Sequence, residues 1–148
     1  MRRSLWAVLL AGALACGGPH GPATLDVHNE ACRWCRMAVS QQALASQLGA
    51  PMEEPLFFDD LGCLRDYLAA HTPSSDLQAW VADHRTGEWV PAAAAVYTRV
   101  EGLATPMSSH LIAHADAVSR DADPLAAGGA LVEPSAIFGS QGPPGAVP

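Results

Sequence analysis

The chain has 148 residues, enough for one compact domain or two very small subdomains. Its eight basic residues are all arginine and stand against 15 acidic ones, for a net charge of −7. That balance argues against nucleic-acid binding, which needs cationic patches to neutralise phosphates. Apolar residues make up 49% but aromatics only 6%, so the core must be built from Leu, Val and Ala with a handful of Trp and Phe.

The N-terminus reads as a targeting segment. Arg2 and Arg3 precede "LWAVLLAGALA" (Leu5 to Ala15), an apolar run of eleven residues, the length of a signal-peptide core and too short to span a bilayer. The run ends in "ALAC", the form of a bacterial lipobox with Ala13 where leucine is usual. Residues 1–15 are therefore expected to be removed and Cys16 to be lipidated, which anchors the product to a membrane facing the periplasm; ordinary signal-peptidase cleavage nearby is the alternative. The periplasm is oxidising. The three cysteines left there, Cys32, Cys35 and Cys63, are an odd number, so at least one thiol has a use other than a disulfide. Residues 16–25, rich in Gly and Pro, read as a flexible tether.

The folded part is expected over 26–123, in two halves of about 26–75 and 76–123. Met37 to Leu48 alternates loosely and suggests a strand with an irregular end. "PLFFDD" (55–60) is a short aromatic strand. "DLGCLRDYLAAH" (60–71) carries Leu61, Leu64, Tyr67 and Leu68 at helical spacing, with Asp60 placed to cap it. "QAWVADH" (78–84) is a strand, "RTG" a turn, and "EWVPAAAAVYTRV" (88–100) an extended stretch leading into another strand. Pro91 keeps its start at a sheet edge. "TPMSSHLIAHA" (105–115) is strand-like and "ADAVSRDAD" a short helix. The Ala/Gly/Pro-rich tail, 124–148, is expected to be disordered. Strands with only two short helices predict an α+β fold, and the order strand, strand, helix, strand recurs.

The segment "ACRWCRMAVS" (31–40) carries the chemistry. Cys32 and Cys35 form a C-x-x-C whose disulfide would close a very small loop and add little stability. A thioredoxin-type pair needs a βαβ setting, with the first cysteine at a helix N-terminus. A structural zinc site needs four Cys or His ligands, and there is no second C-x-x-C, although His110 and His114 could complete a set. If Cys35 starts an extended segment, Met37 shares its face about 7 Å along the chain. A thiolate and a thioether are soft ligands suited to Cu(I). Met107, between Pro106 and a serine pair, is a second thioether with no evident core role. His110 lies close to it and is the histidine most plausibly added to a metal site. Cys63 reads as a small buried hydrophobe, Asp59 as a solvated acid, His71 as a helix-end residue and His84 as a turn residue. There is no nucleophile motif, phosphate loop or H-E-x-x-H, so an enzyme is not expected.

"CRWCRM", "PLFFDDLGCLRDYL", "AWVADHRTGEWVPAAAAVYTRV" and "TPMSSHLIAHADA", in that order behind a lipobox, resemble the NosL family of nitrous-oxide reductase accessory lipoproteins, over about residues 26–120. The resemblance implies two ββαβ-like units with short helices packed on an antiparallel or mixed sheet, an arrangement shared in outline with organomercurial lyase. It implies a periplasmic, lipid-anchored Cu(I) chaperone that delivers copper for the copper–sulfide centre of nitrous-oxide reductase. Its partners would be the apo-reductase and an ABC-type copper-site assembly transporter. Carried over by position, Cys35, Met37 and Met107 are the implied metal ligands, Cys32 is the other thiol of the motif, and His110 belongs to a possible second metal. The sequence departs from the family at Arg36, where "CGM" has glycine, and at Ser108, Ser109 and His110, where glycines are frequent. The competing expectations are a C-x-x-C thiol-disulfide oxidoreductase and a non-catalytic structural lipoprotein.

Overall fold

The computed structural model describes residues 21–146, so residues 1–15 and Cys16 lie outside it. The described residues hold seven strands and three short α-helices. The strands are β1 (Ser46–Gly49), β2 (Leu56–Phe58), β3 (Gln78–Ala82), β4 (Trp89–Pro91), β5 (Val96–Arg99), β6 (Leu111–His114) and β7 (Ala130–Val132). The helices are α1 (Leu61–Ala70), α2 (Ala117–Asp121) and α3 (Ser135–Phe138). They build an α+β fold of two antiparallel sheets, ordered β2-β1-β3-β4 and β6-β5-β7. Each sheet contains the unit strand, strand, helix, strand, with the first strand in the centre. The first unit runs through β1, β2, α1 and β3, and the second through β5, β6, α2 and β7.

The boundary between the units differs from the sequence expectation. β3 pairs with β1, with Val81 opposite Ser46, so it belongs to the first unit rather than to a half beginning at residue 76. The second unit is completed by β7, which lies in the tail expected to be disordered. Thr98 faces Leu131 across that pairing. The tail order extends further, since α3 packs on α1, Ile137 is 2% exposed, and the Phe138 ring stands 5.7 Å from Tyr97. The Ala79 N–H reaches the Pro144 carbonyl at 3.1 Å. A low share of large apolar residues suggested disorder, but a strand partner and two well-placed side chains are enough to hold this segment. The end of the expected tether is fixed as well. The Gln47 amide makes two hydrogen bonds to the Ala23 backbone, at 2.8 and 3.0 Å, and Leu25 is buried.

Helix α1 begins where the sequence predicts. Asp60 has extended backbone angles and its Oδ1 accepts from the Gly62 N–H at 2.6 Å. Leu61 and Leu64 face the core, joined by partly buried Tyr67 and Leu68. β4, with Pro91, is an edge strand, as predicted.

The two sheets meet at the end of β3. Asp83 forms a parallel bridge with Ala113, and the His84 N–H donates to the Ala113 carbonyl at 2.8 Å. The Asp83 carboxylate, 1% exposed, accepts from the backbone N–H groups of Arg85, Thr86 and Ala115. Burial alone would raise its pKa, but those bonds and the Ser119 hydroxyl outweigh it and bring the value down to about 2.

Two predictions follow from this packing. Ile137→Ala should cost about 2–4 kcal/mol in chemical denaturation, because it leaves a cavity under α1; a cost near zero would mean the tail does not pack. The ionised form of Asp83 is favoured in the folded state, so its contribution is present above about pH 4 and fades as pH falls towards 2. In metal-free protein, Asp83→Asn should lower stability at pH 7 by about 2 kcal/mol and flatten the acid limb of the pH–stability curve.

Candidate metal centre

The C-x-x-C segment is a tight hairpin. Ala31 and Ala38 form an antiparallel bridge, the Val39 N–H donates to Glu30 O at 3.0 Å, and the Cys32 N–H donates to Met37 O at 2.7 Å. Inside it the chain reverses through an Arg36 N–H bond to Cys32 O at 3.0 Å, while the Arg33 N–H pins the loop to β2 at Phe57 O, 2.8 Å away. The reversal puts Arg36 at φ 68°, in the left-handed region. The backbone there takes a conformation that suits a glycine although the side chain is arginine. The same holds in the second motif, where Ser108 (φ 55°) and His110 (φ 59°) are left-handed at two of the positions where the resemblance expects glycine.

The hairpin places Cys32 against the core, wholly buried, and leaves Cys35 half-buried above it. Two further groups come from the β2–α1 connection: Asp59, 2% exposed, and Cys63, 1% exposed in the first turn of α1. One ligand atom from each of Cys32, Cys35, Asp59 and Cys63 lies within 4.8 Å of all the others. The Cys35 Sγ donates to the Asp59 carboxylate, 3.4 and 3.3 Å from its two oxygens. All three cysteines are free. The cluster could hold a metal ion.

Its electrostatics favour the protonated form of Cys35 and Cys63. Burial pushes the Cys35 thiol up to about 11; the Met37 backbone N–H, aimed at the sulfur, works against that, while neighbouring Cys32 and Asp59 add to it. Burial raises Cys63 further, reinforced by Cys32 and Asp59. A bound cation reverses this balance, since thiolates are the ligating form and the metal supplies the charge that burial withholds.

Of the residues expected to bind metal, Cys32 and Cys35 enter the cluster. Met37, at the end of the hairpin, is 55% exposed, and Met107 is 46% exposed. Met107 is brought to the same end of the fold by its backbone. Its N–H donates to Asp60 Oδ2 at 2.9 Å, one residue from the Asp59 that binds Cys35. The loop fits closely there, because a Cβ on Gly62 would stand 2.9 Å from the Ser109 Cβ. Asp60 is held below the usual carboxylate range. Burial opposes this but is outweighed by bonds from the Ser109 hydroxyl, the Met107 and Gly62 N–H groups and the Thr105 hydroxyl.

His110 is engaged elsewhere, with Nδ1 on the Leu103 carbonyl at 2.7 Å. His71 caps α1, its ring stacked on Tyr67. The cluster members missed by sequence reasoning are Cys63 and Asp59. Both are carried by "FFDDLGC", and the available signal was an odd third cysteine in a segment where a capping aspartate already accounted for its neighbour.

Known family models, curated proteins and solved structures give no match to this chain.

Relieving the left-handed arginine is a direct check on the loop. Arg36→Gly should raise stability by up to about 1 kcal/mol, the steric gain partly offset by a freer unfolded chain. A loss of stability would show that Arg36 makes contacts the loop needs.

Proposed function

We propose that this protein is a Cu(I) metallochaperone of the NosL type, without catalytic activity. The observation that carries the reading is the convergence of three thiols, from two separated segments, under a hairpin whose outer cysteine alone is partly accessible. Sulfur donors in that number select a soft monovalent ion over Mg²⁺ or Ca²⁺. Cys35 supplies the accessible thiolate, Cys32 and Cys63 the buried ones, and the exposed thioethers of Met37 and Met107 are available at the surface as a relay to a partner. The proposed setting is periplasmic, with the lipid on Cys16 as the anchor and the apo form of nitrous-oxide reductase and its copper-site transporter as partners. Among the described residues no helix is long and apolar enough to cross a membrane. The thiol-disulfide reading has less support, because the first cysteine of a catalytic C-x-x-C must be accessible, normally at a helix N-terminus, and Cys32 is wholly buried in a hairpin.

Asp59 favours a second reading. A fourth donor, and a hard one, suits a closed structural Zn²⁺ site better than a transfer site for Cu(I). The two are separated by competition with chromophoric chelators on reduced protein under anaerobic conditions. The chaperone predicts that Cys35→Ser, still folded, binds Cu(I) at least about 100-fold more weakly, beyond the loss typical of an outer-shell change. It also predicts that Asp59→Asn binds Cu(I) no more weakly than the wild type. Full Cu(I) affinity in Cys35→Ser would remove the copper reading. Zn²⁺ binding that collapses in Asp59→Asn, with only feeble Cu(I) binding in the wild type, would establish the structural zinc site.

A further inference from the structure

A second group of potential ligands lies at the seam between the two sheets, among residues the copper reading does not use. His84 follows β3, His114 ends β6, and Asp123 precedes a 3-10 turn over Pro124–Ala126. The Asp123 Oδ2 stands 2.6 Å from His84 Nδ1 and 3.0 Å from His114 Nε2, and the three ligand atoms all lie within 4.8 Å of one another. His114 is fully buried, and the side chains of Asp123 and His84 are 5% and 10% exposed.

The surrounding backbone fixes each donor. The His84 N–H is on Ala113 O, the second Asp123 oxygen accepts from the Leu125 N–H at 2.9 Å, and the neighbouring Asp83 carboxylate holds the Ala115 N–H. Both imidazoles therefore present a ring nitrogen to a single carboxylate oxygen in a nearly dry setting. The other nitrogen of His114, Nδ1, is buried with no hydrogen-bond partner among the described residues.

From this arrangement we infer that His84, His114 and Asp123 form a binding site for a borderline divalent transition-metal ion of the Zn²⁺ type, distinct from the thiol cluster. Zinc bonds to imidazole nitrogen and carboxylate oxygen are about 2.0–2.1 Å, which puts tetrahedral ligands roughly 3.3 Å apart, so the His84 and His114 contacts to Asp123 would lengthen by roughly 0.7 and 0.3 Å. The ion would take the place of the two hydrogen bonds to Asp123, leaving a ring proton on the nitrogen facing away, Nε2 of His84 and Nδ1 of His114. Two nitrogens and an oxygen suit Zn²⁺ or Cu²⁺ and do not suit Cu(I), so the two clusters divide metals by softness. The ion would join β3 of one sheet to β6 of the other and to the turn leading into β7. Binding should therefore raise thermal stability.

The test uses full-length reduced protein with uniformly ¹⁵N-labelled histidine, titrated with Zn²⁺ to two equivalents and beyond. The expected result is that the ring resonances of both His84 and His114 change tautomer and move to metal-bound positions, with a rise in melting temperature. His84→Gln, whose amide can still bond Asp123, should bind one of the wild-type equivalents at least tenfold more weakly. With Cu²⁺ instead, the electron paramagnetic resonance spectrum should show coupling to two nitrogens. The inference is overturned if saturating Zn²⁺ leaves both rings in their original tautomers, which would make the triad a hydrogen-bonded clamp only. It is equally overturned if His84→Gln binds every Zn²⁺ equivalent as tightly as wild type; should that variant fail to fold, the wild-type ring resonances decide. Loss of metal at the cysteines leaves the histidine signals unaffected, so failure of the copper reading and failure of this one are separate outcomes.

Discussion

The arrangement depends on one buried carboxylate, Asp60. One of its oxygens caps α1 at the Gly62 N–H and the other receives the Met107 N–H, with the Thr105 and Ser109 hydroxyls close by. At 1% exposure the residue is nearly dry, and bonds to a charged acceptor in such a place are worth about 1.5–3 kcal/mol each. Removing the charge would leave several donors unsatisfied at once. The same residue thus starts the helix that carries Cys63, sits next to Asp59, and ties down a loop 47 residues further on. The two motifs that the sequence keeps apart are neighbours because they share this anchor.

The repeated unit explains why a chain with so few large apolar residues folds. In each half a central strand is flanked by its hairpin partner and by a strand returning after a helix, and the two halves pool one main core running from Leu25 to Phe138. Neither half is complete in isolation. The first needs α3, from the end of the chain, packed against α1, and the second needs the Asp83 carboxylate to hold the start of the segment after β6. The seam is polar where two sheets might have met through apolar side chains. Asp83, His84, His114 and Asp123 are satisfied by directed bonds, apart from one imidazole nitrogen, so the seam sets one particular alignment of the sheets.

Much of this was legible in the sequence. β2, α1 with its Asp60 cap, β3 and α2 follow from periodicity and capping chemistry, which act locally. Strand β6 is shorter than "TPMSSHLIAHA" suggests because Ser108 and His110 take left-handed angles that no strand allows. The tail was misread because composition measures how much apolar surface a segment has, while β7 and α3 need only a free strand edge and two side chains, Ile137 and Phe138, aimed at the core. The candidate site was half legible. Spacing exposed Cys32 and Cys35, whereas Cys63 and Asp59 join them through tertiary packing of β2 and α1 under the hairpin, which no local pattern reports. His84 and His114 were hidden for the same reason, being 30 residues apart in sequence and joined through Asp123, 39 residues from His84.

The gradient of burial across the thiol cluster bears on how a metal could move through it. Cys32 and Cys63 are closed to solvent and only Cys35 is reachable, so an incoming or departing ion must exchange ligands at Cys35 first. A partner thiol or imidazole that displaces Cys35 leaves the ion held from below by buried sulfurs, an intermediate with a ligand from each protein. In the empty state, burial favours the protonated Cys35 and Cys63, and the Asp59 carboxylate accepts the bond from Cys35. That alternative partner lowers the cost of release, because the site is not left with several bare thiolates crowded in a low-dielectric pocket. On the proposed role, Asp59 thus acts as a counterweight to the metal, competing for Cys35 once the ion has gone.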